Sequence, residues 1–465
     1  MSNAFLSGGP TRGASREIAA EHFPRDTGKS VLPAAPVQPA RSDTGNRWLG
    51  VVALLTIVAI SYVDRVNASV LITDRAFTDH FGITGDRVMQ GALTTMFLVG
   101  YGIAAFFLTP FYEAVLGVRR GLLVSIAAWA TLTLISPYAF GAIMLLTLRF
   151  VLGGSEGPLF SLKTMYIRQH FANDEVGKPN AVSSMGVSGG LAVGIPLITW
   201  LVYAWNWHSS FIALAFLNAV IGLPLIYFFI NRQSSRAPQT AGPVSGTSSH
   251  HSVRETIRLA FSTPYLAAIL LIEVATLAYL WGSSSWLPSY LVQAEHFSIA
   301  NMGIIASLPF ATAVASGFLG GYLIDKLPSR RVPLIFVLGS LGTGISVLLL
   351  VSSHATAAIA FWLIASQAFW GLQGSAIPTL VQHNAPKAAV GSTYGFINGV
   401  GNLVSAFMPL AMGAVIGAGA TTQSGFVSGF ALLAGTQLVT LCVALYLLYR
   451  GRAVDTPATS LAAGA

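Results

Sequence analysis

Charge is what this chain has least of. Asp, Glu, Lys and Arg make up 9% of its 465 residues, against about 25% in a soluble domain. With 54% hydrophobic residues and a mean hydropathy of +0.67, a soluble globular domain is excluded, and so is disorder of the chain as a whole. Cysteine is almost missing as well: Cys442 stands alone in an apolar run, which excludes a disulfide scaffold. The histidines are scattered and no Cys/His cluster has ligand spacing, so no metal site is expected. No Gly-x-x-x-x-Gly-Lys-Ser/Thr loop occurs, which argues against a built-in ATP motor. No cofactor and no enzymatic activity are therefore expected. Short segments of alternating polarity are lacking too, which disfavours an outer-membrane barrel.

What is present in abundance is apolar sequence in runs of 18 residues or more, enough to cross the hydrocarbon layer as helix. Twelve such spans can be placed, at 48–70, 89–112, 117–136, 139–161, 181–203, 208–230, 264–290, 302–323, 332–351, 355–381, 391–416 and 425–449. The expected fold is an all-α polytopic membrane protein with twelve transmembrane helices in two pseudo-symmetric six-helix bundles. The bundles would occupy 47–230 and 264–450. A polar tail (1–46), a Ser/Pro/Gly-rich linker with a short amphipathic segment (231–263) and a second tail (451–465) complete the chain. Residues 1–46 have no apolar core of the signal-peptide kind and read as a cytoplasmic tail.

Orientation follows from the basic residues. With the N-terminus inside, 21 of the 25 Lys and Arg residues fall on the inner side, only Arg75 and Arg87 fall outside, and Arg65 and Arg149 fall within spans. Both termini are thus expected in the cytoplasm of a bacterial cell with the spans in the inner membrane. The formal charge of +8 is mostly this topology signal. Basic residues spread over short loops do not make a nucleic-acid surface.

Five ionisable residues within spans stand out: Asp64 and Arg65 in SYVDRVNASV, Arg149 and Glu156 in LRFVLGGSEGP, and Glu273 in the seventh span. Each costs several kcal/mol if left facing lipid, roughly 2.5–3.5 on insertion scales, so each needs a cavity or a partner. Arginine keeps its proton and presents a fork that matches a carboxylate. Two arginines converging from different helices make a clamp for an organic anion; alternatively each pairs with Asp64 or Glu156 to hold helices together. A carboxylate that is alternately buried and paired can load and release a proton. Asp64, Glu156, Arg149 and Glu273 form the expected proton-coupling group, with Glu273 either a third titrating acid or one within reach of water from the inner side. Arg149 and Glu156 are seven residues apart and share a helix face, whereas adjacent Asp64 and Arg65 point about 100° apart.

Around them, Tyr62, Asn398, Trp286, Tyr290 and Gln373 are candidate substrate contacts beside Arg65. Each has an ordinary alternative: the aromatics as interfacial anchors, the amides as partners of another helix. Span five, SSMGVSGGLAVGIP, carries small residues that permit close helix packing.

These motifs together resemble the major facilitator superfamily, and within it the anion:cation symporters that carry organic anions and sugar acids. The resemblance spans about 48–450. It rests on SYVDRVNASV, on the Arg149–Glu156 spacing, on GYLIDKLPSRR at 321–331, which is similar to that superfamily's Gly-x-x-x-Asp-Arg/Lys-x-x-x-Arg-Arg loop, and on WLPSY at 286–290 and NGVGNLVSAFMP at 398–409. The resemblance implies that Arg65 holds the substrate carboxylate, that Asp64 and Glu156 take protons, that Arg149 links the two events, and that Tyr62 and Asn398 touch substrate. It assigns Asp325, Lys326, Arg330 and Arg331 to a gating loop. The first-half copy of that loop, FYEAVLGVRRG, has lost its aspartate to Ala114, so Arg119 and Arg120 (with Glu113) are expected to substitute. Val187 replaces a glutamine that would hydrogen-bond a sugar-acid hydroxyl, which points to a less hydroxylated or aromatic carboxylate. The expected function is import of a small organic anion by proton symport, by a monomer whose other partners are protons and lipid. A facilitator or exporter of a neutral or cationic compound is the alternative.

Overall fold

The computed structural model describes residues 44–171, 177–230, 258, 261–374, 376–385 and 390–453. Most of the two tails and of the 231–263 linker lies outside these residues. Among the described residues every regular element is a helix. The first half comprises α1 (Thr44–Leu71), α2 (Arg75–His80), α3 (Arg87–Phe111), α4 (Gly117–Ile135), α5 (Ala142–Glu156), α6 (Leu159–His170), α7 (Gly177–Ser184), α8 (Gly186–Ala204), α9 (Trp207–Leu217) and α10 (Leu223–Phe229). The second comprises α11 (Leu266–Ser289), α12 (Ile299–Lys326), α13 (Pro333–Val351), α14 (Thr356–Leu372), α15 (Ala376–Asn384), α16 (Val390–Ser405), α17 (Met408–Gly417) and α18 (Thr422–Ala453).

Among the described residues, eleven helical stretches are long and apolar enough to cross a membrane. The expected tenth span is not among them: its helix Thr356–Leu372 is 17 residues long, a turn follows at Gln373–Gly374, and Ser375 lies outside the described residues. Comparable breaks occur at Gly157–Pro158 between α5 and α6, at Met185 between α7 and α8, and at Ala406–Phe407 between α16 and α17. In the six-span repeat these are spans four and ten, and five and eleven, so the irregularities recur at matching places. A helix in lipid cannot leave backbone groups open, and breaks survive where they face protein or a cavity.

The two halves repeat one packing device. Spans two and four cross at glycines: a Cβ on Gly100 would fall 2.0 Å from the Phe150 carbonyl oxygen, and one on Gly153 would fall 1.9 Å from that of Phe97. Spans eight and ten do the same, with Gly320 against the Leu372 carbonyl at 2.2 Å and Gly371 against Ser316 and Ala313. Without an apolar driving force between helices in lipid, such backbone-to-backbone approach supplies the association energy. The glycine-rich start of α8 works likewise against α1, where Gly186 meets Leu55 and Gly190 meets Ala59 and Tyr62.

Helices alternate in direction, so one end of the molecule carries the start of α1 and the end of α18 (the terminal end). Tyr166 Oη donates to the Arg47 carbonyl there at 3.3 Å, and Arg119 Nη2 donates to that of Tyr227. At the opposite, far end the two halves are locked together. Gly91 abuts the Pro409 backbone, Gly413 abuts that of Arg87, Gly303 lies on Thr199, and the Arg87 guanidinium sits 5.8 Å from the Phe426 ring centre. At the terminal end α6 and α7 pack extensively only within the first half, and α15 only within the second.

Candidate functional site

The site is built on α1. Its segment Ser61–Arg65 is buried, and the helical turn sends consecutive side chains to different neighbours. Arg65 reaches α5: its Nε donates to Glu156 Oε2 at 3.2 Å, and its Nη2 forms the ion pair with the same oxygen at 3.2 Å. Ser61, one turn earlier, donates to that oxygen at 2.6 Å. Glu156 can stand so close because the glycines before and after it remove bulk. Gly153 and Gly157 let α5 settle against Phe97 and against Tyr101–Ala105 of α3.

Four rings surround the guanidinium. Its carbon lies 4.4 Å from the ring centre of Tyr62, 4.6 Å from Tyr101, 5.2 Å from Phe97 and 5.7 Å from Trp281. Aromatic faces attract a cation and replace part of its lost hydration. Trp281 belongs to α11, in the other half, and stacks on Tyr62 at 6.0 Å with a 17° interplanar angle. Both halves therefore meet at Arg65.

Asp64 faces the other way. Asn218 Nδ2 donates to its Oδ2 at 2.7 Å, and Arg149 Nη1 donates to its backbone carbonyl at 3.5 Å. Asn218 opens the π-helical turn Asn218–Gly222 between α9 and α10, a widening that often marks functional positions. The expected divergence of Asp64 and Arg65, and the shared face of Arg149 and Glu156 toward α1, are both seen in these contacts.

Several polar atoms in this cluster are buried without a hydrogen-bond partner: Arg65 Nη2, Trp281 Nε1, Glu156 Oε1 and Asp64 Oδ1. Arg65 Nη2 is near Glu156 Oε2 but off line for a hydrogen bond. Two idle donors beside one guanidinium are what a carboxylate would satisfy.

In the second half Glu273 of α11 accepts from Asn398 Nδ2 of α16 at 3.1 Å. Asn402 Nδ2 donates to Asn398 Oδ1 at 3.3 Å and to its backbone carbonyl at 2.9 Å. The two amides, four residues apart on one face of α16, form this relay.

Three expected contacts sit elsewhere. Trp286 is fully buried, donates Nε1 to the Pro409 carbonyl at 2.9 Å, and packs on Phe426. Tyr290 is also fully buried, against Phe426 and Phe430. Gln373 is held at 3.5 Å from Gln437, with Gly339 making room for it. Each has found a packing partner, and none contacts the Arg65 cluster. A polar or aromatic residue in an apolar span signals some partner, but not which one.

Of the gating group, Arg119 stays within its own half, bonded to Tyr227 and set over its ring at 4.7 Å. Arg120 and Arg331 are exposed, Lys326 lies over Tyr322 at 5.6 Å, and Arg330 stands in the 3₁₀ turn Ser329–Arg331. The side chains of Asp325 and Glu113 lie outside the described residues. Sequence reasoning passed over Ser61, Phe97, Tyr101 and Asn218. The signal was available for Asn218 alone, as a buried amide in an otherwise apolar span.

A helical, multi-pass protein with buried charge at the joint between two repeated halves has the architecture of a membrane transporter. The chain belongs to the Major Facilitator Superfamily, whose family model matches residues 54–409. It is similar to the probable galactarate/D-glucarate transporter GudP of Bacillus subtilis (strain 168), 27% identical over 457 residues, covering 89% of this chain and 94% of that one. The hexuronate transporter of the same organism is 28% identical over 392 residues, 81% of this chain and 88% of the other. A crystal structure of a bacterial homolog to the human lysosomal transporter Spinster, in an inward-facing and unoccupied conformation, superposes with a TM-score of 0.71 at 16% identity, covering 88% of this chain and 98% of that chain.

Proposed function

We propose that this transporter imports a small organic anion, a carboxylate, by proton symport through alternating access. The observation that carries the reading is the Arg65–Glu156 pair with its idle donors. A substrate carboxylate and the Glu156 carboxylate compete for one guanidinium. When substrate takes Arg65, Glu156 loses its cation inside a buried site, and a proton is the charge that replaces it. Asp64 is the second proton carrier, and Arg149, bonded to the Asp64 backbone, transmits its state. The relatives named for sugar acids support the substrate class. In this reading the terminal end faces the bacterial cytoplasm, the spans lie in the inner membrane, and the protein works as a monomer of two bundles joined by the 231–263 segment.

The test is uptake into proteoliposomes driven by an imposed inward proton gradient. The substrate is first found by a thermal-shift screen of mono- and dicarboxylates, sugar acids and aromatic acids. Arg65→Ala abolishes uptake; uptake at the parent rate in that variant refutes the assignment.

A further inference from the structure

Glu273 is a buried acid that the mechanism above does not use. It is 6% exposed, and among the described residues no ion pair joins it to a cation. The helices packed on α11 bring other groups toward it. α16 brings Asn398 and Tyr394; of the other packed helices, α3 carries Tyr101 and α1 carries Arg65, which is held by Glu156. Lys326, His383 and Arg450 stand on α12, α15 and α18. Tyr394 lies within electrostatic reach of both Glu273 and Tyr101.

The pocket for this carboxyl is built. Gly401 faces it, and a Cβ there would fall 2.6 Å from Glu273 Cγ. The contacts on either side fix which end of the Asn398 amide faces Glu273 in this state. Asn402 donates to its oxygen, so its NH₂ group is aimed at Glu273. An ionised carboxylate buried without a cation is among the costliest arrangements a membrane interior can hold. A group placed so has to acquire a positive charge whenever water is shut out.

We propose that Glu273 is a proton-binding site in the second half of the transporter, and that its proton controls whether Asn398 is free to meet the substrate. Ionised, Glu273 accepts the Asn398 N–H. Protonated, it forms an O–H bond and no longer needs that donor, which turns to a substrate oxygen. The proton comes from solvent and returns there when the site opens to water, so no other bond is made or broken. The inference extends the proton-symport reading to a site 208 positions along the chain from Arg65, and its test involves no substrate.

The experiment is infrared difference spectroscopy of the purified full-length protein in lipid, stepped between acid and alkaline buffer. The parent protein shows a protonated-carboxyl C=O band that is lost on alkalinisation. Glu273→Gln lacks one component of that band, and Glu273→Asp keeps it at a shifted frequency. An unchanged difference spectrum in Glu273→Gln overturns the proposal. Should Glu273→Gln fail to fold, Asn398→Ala decides: deletion of the hydrogen-bond donor moves the frequency of the same component, and an identical spectrum overturns the proposal. Uptake at the parent rate in Arg65→Ala, which refutes the Arg65 assignment, leaves these spectra as they are, so the two readings fail separately.

Discussion

Replacing Arg65 by methionine keeps most of the volume among the four rings and deletes only the charge. At 3.2 Å, the Coulomb attraction to Glu156 is about 5 kcal/mol gross at an effective dielectric of about 20. Removing one partner of such a buried pair typically costs about 3–5 kcal/mol, because the other is left uncompensated. Glu156 would keep only the Ser61 hydroxyl, so Arg65→Met is expected at the upper part of that range. Glu156→Gln is milder, about 1–3 kcal/mol. The four rings still face the guanidinium, and the glutamine oxygen can still accept from Arg65 and Ser61. In the double variant neither charge is stranded, so its cost falls short of the sum by at least about 2 kcal/mol. Denaturant unfolding of all four proteins in one detergent, with helical content as the signal, closes the cycle. Additivity within about 0.5 kcal/mol would mean that the two side chains are neighbours without being partners, and the competition mechanism would fall with it.

Two further outcomes follow from other contacts. Asn218→Leu removes the 2.7 Å bond to Asp64 and lowers stability by about 1.5–3 kcal/mol, the range for a hydrogen bond to a charged group. Adding Asp64→Asn recovers most of that loss, and a single-variant effect below about 0.5 kcal/mol in the same unfolding assay contradicts the assignment. Gly91→Val drives a side chain into the Pro409 backbone, since even a Cβ would lie 2.4 Å from its oxygen. Spin labels at Val88 and Ala411, in a background without Cys442, are expected to move apart by several ångströms, and an unchanged separation refutes the close contact.

Much of this was legible in the sequence because charge is scarce. In a chain with so few ionisable residues in its spans, those that remain are conspicuous, and all five lie at buried polar contacts. What the sequence did not reveal was pairing. Glu156 lies 91 residues from Arg65, and Asn218 lies 154 from Asp64. Helical periodicity specifies a face but not which helix comes to meet it. Aromatic residues were harder still. Trp281 and Trp286 are five residues apart on one helix, yet one stacks at the joint of the halves and the other buttresses the far end. The break after α14 escaped because Gln373 and Gly374 are too few to interrupt a hydropathy average.

Among the described residues, the far-end seam rests largely on glycines laid against carbonyls, with Arg87 over the Phe426 ring beside them. A gate held by salt bridges must strip and rehydrate charges each time it parts, and its barrier responds to ionic strength. A gate of backbone against backbone opens mainly by giving up dispersion contacts, each worth only ~0.1–0.2 kcal/mol per atom pair. The work of opening is then spread over many small increments along the seam, with no single latch to break, and the motion resembles unzipping more than unlocking.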